Sequence, residues 1–264
     1  MSDNTSTAPK PELSVENHAE VRITPYYQNA GITIYHGDCR EILPLLGNVG
    51  MLLVDPPYGI GYAKYESHRD DPGEYPQLLK DSISVAERLV TDGWCCVFQA
   101  AKLAHRWGEW FGDKWRLVAL PKTFVQILPG IGPTWATDYA LVWPVGTPTT
   151  ERGKGRDWFV CETSDMSKRP NGHPCPRPLN GIRYLVEVFS SPGDVILDPF
   201  MGSGTTLVAA KQLYRNAIGI EIEEQYCEIA AKRLSQEVFD WGIPQTIEGE
   251  PDASDNLFST LESA

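Results

Sequence analysis

The chain has 264 residues, 42% of them hydrophobic, and a formal net charge of −12 at pH 7. This length suits one large core or two modest ones, and we predict a single catalytic domain. The six cysteines form no CxxC or Cys/His cluster, and no run approaches the roughly 18 to 20 apolar residues of a membrane span. We therefore expect reduced thiols, no structural zinc, and a cytoplasmic protein that is neither exported nor inserted in a membrane.

The acidic charge is concentrated at the two ends of the chain. Residues 1–20 hold four acidic residues and one lysine, and residues 236–264 hold seven acidic residues and no Lys or Arg. Both segments lack periodic apolar residues, so we predict disordered acidic tails around a catalytic domain at 21–235. Within that domain, 152–183 has a local excess of basic residues, which suits either DNA phosphates or an ordinary solvated loop. Its basic residues are Arg152, Lys154, Arg156, Lys168, Arg169, Arg177 and Arg183.

Apolar runs and helical periods alternate along this domain. We predict short buried strands at 32–36, 51–55, 94–98, 115–120, 139–143, 195–198 and 217–221. Helical spacing of apolar residues predicts helices within 78–90, 179–189 and 226–234. This alternation predicts an α/β fold with a doubly wound, mostly parallel sheet that is covered on both faces. Because such sheets bind ligands at the carboxyl ends of their strands, the residues that leave each strand are the candidates for a site.

The stretch 194–221, DVILDPFMGSGTTLVAAKQLYRNAIGIE, has the order strand, glycine-rich turn, helix, strand. Gly202 and Gly204 suit a tight turn, and a helix that starts near Thr205 would point free N–H groups at a ligand. Glu221 ends the next strand, where an acidic residue would accept hydrogen bonds from ribose hydroxyls. An ordinary strand-to-helix turn is the alternative, but the acidic strand end favours a cofactor that carries a nucleoside.

The same stretch argues against cofactors that carry a pyrophosphate or triphosphate. The dinucleotide fingerprint GxGxxG needs a third glycine, and counting from Gly202 that position is Leu207. The chain also has no GxxxxGK[ST] motif to grip phosphates. A nucleoside cofactor without pyrophosphate fits better, and S-adenosylmethionine, which would leave as S-adenosylhomocysteine, is the one we expect.

Five motifs together resemble the DNA amino-methyltransferases, which methylate adenine N6 or cytosine N4. They are YHGDCREILPLL (35–46), DPPY (55–58), DYALVWP (138–144), NGHPCPRPLNGIRYLVEVFSSPGD (171–194) and DPFMGSGTT (198–206). Their order, with the DPPY tetrapeptide before the cofactor loop, is similar to that of the circularly permuted group called beta. The resemblance spans 32–234 and implies a Rossmann-like methyltransferase fold with a doubly wound seven-stranded sheet.

For catalysis, the resemblance implies direct methyl transfer to the amine of a base that is flipped out of double-stranded DNA. Asp55 and the carbonyl of Pro56 would each accept one N–H of that amine. Pro56 and Pro57 would stiffen the loop, and Tyr58 would stack on the flipped base. No metal and no covalent enzyme intermediate is expected. Aspartate at the first position of the tetrapeptide is typical of the adenine N6 enzymes, and cytosine N4 is the alternative.

For the cofactor, the resemblance implies residues from several parts of the chain. Glu221 would hold the ribose, Asp38 would accept from the adenine amine, and the glycine-rich loop would line the methionine side. Arg177 lies in the segment that packs over the cofactor in this family, where HPCPRP replaces the commoner HPTQKP and arginine replaces lysine. The complete predicted set is Asp38, His173, Asp198, Phe200, Gly202, Gly204, Thr205, Thr206 and Glu221.

Recognition of a DNA sequence would come from loops. The candidates are the basic segment 147–172 and the segment 61–76, both short, so we expect a compact enzyme that reads a short site. The resemblance leaves open a homodimer and a cognate restriction enzyme of a restriction-modification system as further partners, and no membrane partner is expected. The predicted DNA contacts are Arg152, Lys154, Arg156, Lys168 and Arg169.

Three other interpretations of the chain were weighed. Pro174-Cys175 has the composition of the nucleophile of cytosine C5 methyltransferases, but those enzymes place it after the strand that here leads to Asp55. A nicotinamide dehydrogenase is disfavoured by Leu207 and has no use for DPPY. A noncatalytic relative that binds DNA or a protein partner stays open, although such a module would not need the complete set of site residues.

Overall fold

The computed structural model describes residues 23–58, 73, 75–123, 136–149, 154–162 and 177–236. Eight strands in these ranges form one mixed sheet, in the order β1-β2-β8-β7-β3-β4-β6-β5. The strands are β1 (Tyr27–Asn29), β2 (Ile32–His36), β3 (Val49–Val54), β4 (Val90–Gln99), β5 (Arg116–Pro121), β6 (Thr137–Val145), β7 (Val195–Asp198) and β8 (Asn216–Glu221).

All seven predicted strands are present, and β1 is one strand more than the prediction of a seven-stranded sheet. β1 pairs antiparallel with β2 at the edge of the sheet, and none of its three residues is buried. The tight turn between them places Ala30 and Gly31 at φ values of 46° and 79°. An exposed edge strand of this length lacks the apolar alternation by which a strand is recognised in a sequence.

The sheet is mostly parallel, as predicted. β2, β8, β7, β3 and β4 run parallel to one another, while β6 runs antiparallel to both β4 and β5. Because β6 is reversed, its amino-terminal residues lie at the edge of the sheet where the parallel strands end. Asp138 is the second residue of β6 and therefore lies beside the exits of its neighbours.

The helices cover both faces of the sheet. Two 3-10 turns, Leu43–Leu45 and Ala101–Arg106, and a π turn at Leu79–Ile83 accompany them. The π turn divides the helix that was predicted at 78–90, and Val90 already belongs to β4. The α-helices are α1 (Cys39–Ile42), α2 (Tyr75–Leu78), α3 (Ser84–Leu89), α4 (Trp107–Phe111), α5 (Leu179–Phe189), α6 (Thr205–Gln212) and α7 (Glu224–Ser235).

Two hydrophobic cores lie on opposite sides of the sheet. One packs α5, α6 and α7 against alternate strand residues such as Met51 and Leu53, and the other packs α1, α3 and α4 against residues such as Leu52 and Val54. This alternation within β3 is the period-2 pattern of a strand that is buried on both faces. The prediction of a doubly wound sheet is therefore confirmed.

The sheet has a topological switch point between β3 and β7. These two strands are parallel neighbours, but the chain crosses from β3 to β4 on one side and from β7 to β8 on the other. Crevices form at such points, at the carboxyl ends of the strands. The segments that follow β3 and β7, namely the DPPY tetrapeptide and the glycine-rich loop, flank this crevice.

Helix α5 is held at its carboxyl end by a buried cation. The Arg215 guanidinium donates to the Ser190 hydroxyl at 3.1 Å and to the Ser190 carbonyl at 2.9 Å, just beyond the last turn of α5. A positive charge is favourable at this end of a helix. Arg177 lies two residues before the amino end of α5. None of the helices in the described ranges has the length and apolarity needed to cross a membrane.

Candidate active site

Asp55 is the first residue after β3, and within the described ranges its carboxylate is bound by the side chains of Tyr58 and Arg177. Tyr58, three residues further on, donates its hydroxyl hydrogen to Oδ1 of Asp55. Arg177 donates from Nε to Oδ2 and from Nη2 to Oδ1, both at 2.8 Å, which makes a bidentate ion pair. Two parallel N–H···O bonds fix the plane of the carboxylate as well as its position.

Arg177 also contacts residues of β4 and β6 at the same edge of the sheet. Its Nη1 lies 2.6 Å from Oδ1 of Asp138 at the start of β6, and its Nη2 donates to the Tyr58 hydroxyl at 2.5 Å. Its guanidinium carbon lies 4.9 Å from the ring centroid of Phe98 in β4, within the range of a cation–π contact. One arginine therefore connects the ends of β3, β4 and β6 with the start of α5.

The charges in this network alternate. Lys122 donates to Asp138 at 2.9 Å, so that two carboxylates and two cations follow one another from Asp55 to Lys122. Burial by itself would lower the pKa of Arg177, but Asp55, Tyr58 and Asp138 together raise that pKa well above its ordinary value. The Arg177 guanidinium thus stays protonated although only 20% of its side chain is exposed.

The glycine-rich loop after β7 has the tight conformation that the sequence predicts. Gly202 and Gly204 have φ values of 51° and 78°, in the left-handed region that glycine adopts readily. Gly204 is the N-cap of α6, and a Cβ atom at this position would lie 2.8 Å from the Cβ of Ala230 in α7. Glycine is therefore required at Gly204 both for its backbone angles and for the close approach of two helices.

Glu221, the last residue of β8, ties this loop to the next strand exit. Its carboxylate accepts hydrogen bonds from the backbone N–H groups of Gly202 and Glu223, each at 2.9 Å. Burial raises the pKa of Glu221, and these N–H groups oppose that rise. The neighbouring strand β2 leads to Asp38, whose carboxylate caps α1 at the Arg40 N–H and also pairs with the Arg40 side chain. The predicted cofactor acceptors thus lie at the exits of adjacent strands.

Asp198, at the end of β7, lies deepest in the site and is only 3% exposed. It accepts hydrogen bonds from the Phe200 N–H at 3.1 Å and from the Thr206 hydroxyl. Burial raises the pKa of Asp198 to about 7, and the negative charges of Asp55 and Glu221 add to this rise. Asp55, Asp198 and Glu221 follow the neighbouring strands β3, β7 and β8, so the tetrapeptide and the glycine-rich loop lie side by side.

The donor set of this site fits a nucleoside that carries a positive charge. Carboxylates at three neighbouring strand ends can accept hydrogen bonds from hydroxyl and amino groups, and they would repel a phosphate. A sulfonium cation would instead be attracted by them. The glycine-rich loop leads into the amino end of α6, where Thr205 and Thr206 are both buried. These residues therefore fit S-adenosylmethionine better than a dinucleotide.

Lys154 and Arg156 of the predicted DNA segment lie away from this crevice, whereas Cys161 of the same segment packs against Gly181 near the start of α5. Residues 154–162 run parallel to β5 along its outer edge, with backbone hydrogen bonds between Ala119 and both Asp157 and Phe159. Four strand spacings, or about 19 Å, separate this segment from β3. Lys154 and Arg156 are exposed there. The other predicted site residues, namely Arg152, Lys168, Arg169 and His173, lie outside the described residues, as does Cys175.

Asp138, Lys122 and Phe98 were not predicted as residues near the site, and Arg177 was predicted to lie in the segment that packs over the cofactor in this family, without a role of its own. In the structure Arg177 binds Asp55, which is 122 residues away in the chain. A carboxylate immediately before the apolar run of β6 was the available signal for Asp138. That signal becomes meaningful only when the antiparallel direction of β6 is known, because a parallel strand would place Asp138 at the opposite edge of the sheet.

Comparison with known proteins is consistent with this geometry. The family model for N6/N4 methyltransferases, described as DNA methylase, matches residues 99–232. A protein named as a methylase, YubD of Escherichia coli (strain K12), is 27% identical over 206 residues, which is 75% of this chain and 88% of that protein.

Two of the solved structures that are similar to this chain show the extent of the likeness. One is M1.HpyAVI in complex with S-adenosylmethionine, at a TM-score of 0.62 and 25% identity over 78% of this chain and 100% of that one. The other is the cytosine-N4-specific PvuII DNA methyltransferase, at a TM-score of 0.66 and 17% identity over 81% of this chain and 90% of that one. At this level of identity, the second likeness shows the fold alone.

Replacement of Asp198 by asparagine should change how stability depends on pH. The folded-state pKa is about 7 and the unfolded value about 3.9, so between these values the folded state holds the proton more tightly and wild-type stability falls as pH rises. Asp198→Asn should remove this loss of unfolding free energy, which is on the order of 4 kcal/mol between about pH 4 and pH 7.

Urea unfolding of both proteins across this pH range measures the effect. The free energy of unfolding of Asp198→Asn relative to wild type should increase with pH. Asp113→Asn, in an exposed aspartate, provides the matched control. A constant difference for Asp198→Asn would contradict the raised pKa.

Proposed function

Because this chain belongs to the N6/N4 family of DNA methylases, we propose that it transfers a methyl group from S-adenosylmethionine to the N6 amino group of adenine in double-stranded DNA. The observation that carries this proposal is the position of Asp55 at the switch point of the sheet, where it lies beside the glycine-rich loop and the carboxylates of Asp198 and Glu221. One side of this crevice suits an amine that must be held by acceptors. The other side suits a cationic nucleoside.

The residues around the glycine-rich loop would hold the cofactor. Glu221 would accept hydrogen bonds from the ribose hydroxyls and Asp38 from the adenine amine, while Phe200 and the turn at 202–206 would line the methionine part. Asp198 would support the loop through its bonds to Phe200 and Thr206 rather than contact the reacting atoms. When bound, the cofactor supplies an electrophilic methyl group on a sulfonium sulfur.

The tetrapeptide would bind the target amine. The lone pair of an exocyclic amine is delocalised into the base, which makes the nitrogen a poor nucleophile. Acceptance of the two N–H groups by the Asp55 carboxylate and the Pro56 carbonyl favours charge development on the nitrogen and orients its lone pair. Because the amine lies inside the duplex stack, the base must be flipped out, and Tyr58 offers an aromatic ring on which it can stack.

The choice of adenine over cytosine follows from Asp55 at the first position of the tetrapeptide. Cytosine N4 is the alternative substrate. Incubation with labelled S-adenosylmethionine and unmethylated DNA, followed by digestion and nucleoside mass spectrometry, distinguishes them. N6-methyladenine is the expected product, and N4-methylcytosine would overturn the adenine assignment. Binding of the cofactor without any methyl transfer to DNA would favour a noncatalytic relative.

Asp55→Ala should reduce the rate of methyl transfer by at least about 100- to 1,000-fold, since it removes an acceptor on which charge development depends. The dissociation constant of S-adenosylmethionine should change by no more than a few fold, because Asp55 faces the amine. Single-turnover kinetics and calorimetric titration give the two quantities, and Asp113→Ala is the control. A loss of cofactor affinity as large as the loss of rate would contradict this role for Asp55.

We assign Lys154 and Arg156 to contacts with DNA phosphates at the β5 edge. The distance of about 19 Å from β3 is too long for contact with a flipped base but is close to the width of a duplex. Lys154→Ala and Arg156→Ala should each raise the KM for DNA and reduce the slope of log affinity against log salt by about one, with kcat unchanged. Lys232→Ala, in an exposed lysine of α7, is the control. An unchanged salt slope would exclude phosphate contacts here.

A further inference from the structure

The acidic crevice creates a difficulty for any acceptor role of Asp55. Negative charges at neighbouring strand ends disfavour one another, and this effect contributes to the raised pKa of Asp198. A protonated carboxyl group carries a hydrogen on one oxygen and becomes a poorer acceptor for an amine. The site therefore needs a neighbouring group that keeps Asp55 ionised and correctly oriented.

We propose that Arg177 is the positioning residue of this site, which holds the Asp55 carboxylate and the Tyr58 hydroxyl in place and keeps Asp55 ionised, with Asp138 as its anchor. The proposal rests on the function proposed above, in which Asp55 accepts the target amine. The bidentate contact supports it, since Nε and Nη2 each lie 2.8 Å from a different oxygen of Asp55. A carboxylate held at two points cannot rotate about its terminal bond without breaking one of these bonds.

Arg177 is anchored independently of Asp55. The Asp138 carboxylate binds Nη1 at 2.6 Å, and the Phe98 ring packs against the guanidinium face. Pro178, the residue after Arg177, is the N-cap of α5, and the buried face of α5 is part of the core. Lys122 balances the charge of Asp138, so Asp138 can anchor Arg177 without adding net charge to the site.

The bonds of the guanidinium indicate that Arg177 acts through Asp55 rather than on the substrate. An arginine side chain has five N–H groups. Three of those on Arg177 have acceptors in the structure, since one at Nε and one at Nη2 point to Asp55 and a second at Nη2 points to Tyr58, while Nη1 forms an ion pair with Asp138. A contact of Nε or Nη2 with a DNA phosphate would require these bonds to break.

The charged groups that act on Asp55 come from several elements. Arg177, which precedes α5, favours the ionised form, and the Tyr58 hydroxyl in the tetrapeptide stabilises it by hydrogen bonding. Asp198 at the end of β7 opposes ionisation when it is itself charged. Asp138 in β6 acts on Asp55 chiefly by holding Arg177. Loss of Arg177 should therefore leave Asp55 with a nearby like charge and a single hydroxyl donor among these groups.

The direct test follows the titration of Asp55 by carbon NMR in protein labelled at the aspartate carboxyl carbons. The Asp55 signal is assigned by its disappearance in Asp55→Asn. Arg177→Met should raise the titration midpoint of Asp55 by about one to three pH units. Arg177→Lys should return the midpoint most of the way to the wild-type value, because lysine restores the positive charge. Asp138→Asn should shift the midpoint in the same direction by less. Arg88→Met, in an exposed arginine of α3, is the control.

Kinetics on the same variants separate positioning from charge. Arg177→Met should lower kcat by about 10- to 100-fold near neutral pH and move the acid limb of the kcat profile upward by at least about one pH unit, with the KM for DNA unchanged within a few fold. Arg177→Lys should bring the acid limb back but keep kcat several fold low, since an ammonium group cannot make the two-point contact.

An unchanged Asp55 midpoint in Arg177→Met would overturn the proposal, and so would a rise in KM for DNA without a shift of the acid limb. If Arg177→Met does not fold, the titration of Asp138→Asn and the kcat of Arg177→Lys decide, and an unchanged Asp55 midpoint in the first together with an unchanged kcat in the second would refute the proposal. Failure of the proposed function is recognised separately. Wild-type protein would then transfer no methyl group to DNA, while the titration still reports whether Arg177 keeps Asp55 ionised.

Discussion

Asp55, Asp198 and Glu221 leave strands β3, β7 and β8 at the same edge of the sheet, so their negative charges must be compensated within a small volume. The protein does this in three ways. Asp55 is paired with Arg177, Glu221 receives two backbone N–H groups, and Asp198 has a pKa near neutrality. The conformations of the tetrapeptide, the glycine-rich loop and the start of α5 are all coupled to this compensation, because each supplies one of the compensating groups.

This distribution of charge also suits the chemistry of a DNA methylase. The crevice attracts a cationic cofactor and an amine, and it would repel the phosphates that carry the amine into it. The exposed basic residues Lys154 and Arg156 lie at the far edge of the sheet instead. The duplex backbone and the reacting base would thus be bound at different places, which is consistent with a base that leaves the stack. The overall charge of −12 is no obstacle, since most of it lies in the terminal segments.

Much of the fold could be predicted because its signals are local. Apolar runs marked the seven buried strands, and helical spacing marked α5 and α7. The helix before β4 was only partly predicted, because a π turn at Leu79–Ile83 interrupts the period. The strand β1 was not predicted, because a strand is recognised in a sequence by the spacing of its buried apolar residues. β1 has no buried residue. The glycine-rich turn was predicted correctly, because left-handed backbone angles restrict the residue type at Gly204.

The sequence by itself determined the two strand exits and the type of ligand chemistry that each can support. The turn glycines, the Asp55 tetrapeptide and the acid at Glu221 are properties of short segments, and their order along the chain points to one family. Only the tertiary structure decided the partner of Asp55. Arg177 lies 122 residues away, and Asp138 reaches the same edge only because β6 runs antiparallel to its neighbours. Contacts of this kind follow from strand direction and packing, which no short stretch of sequence specifies.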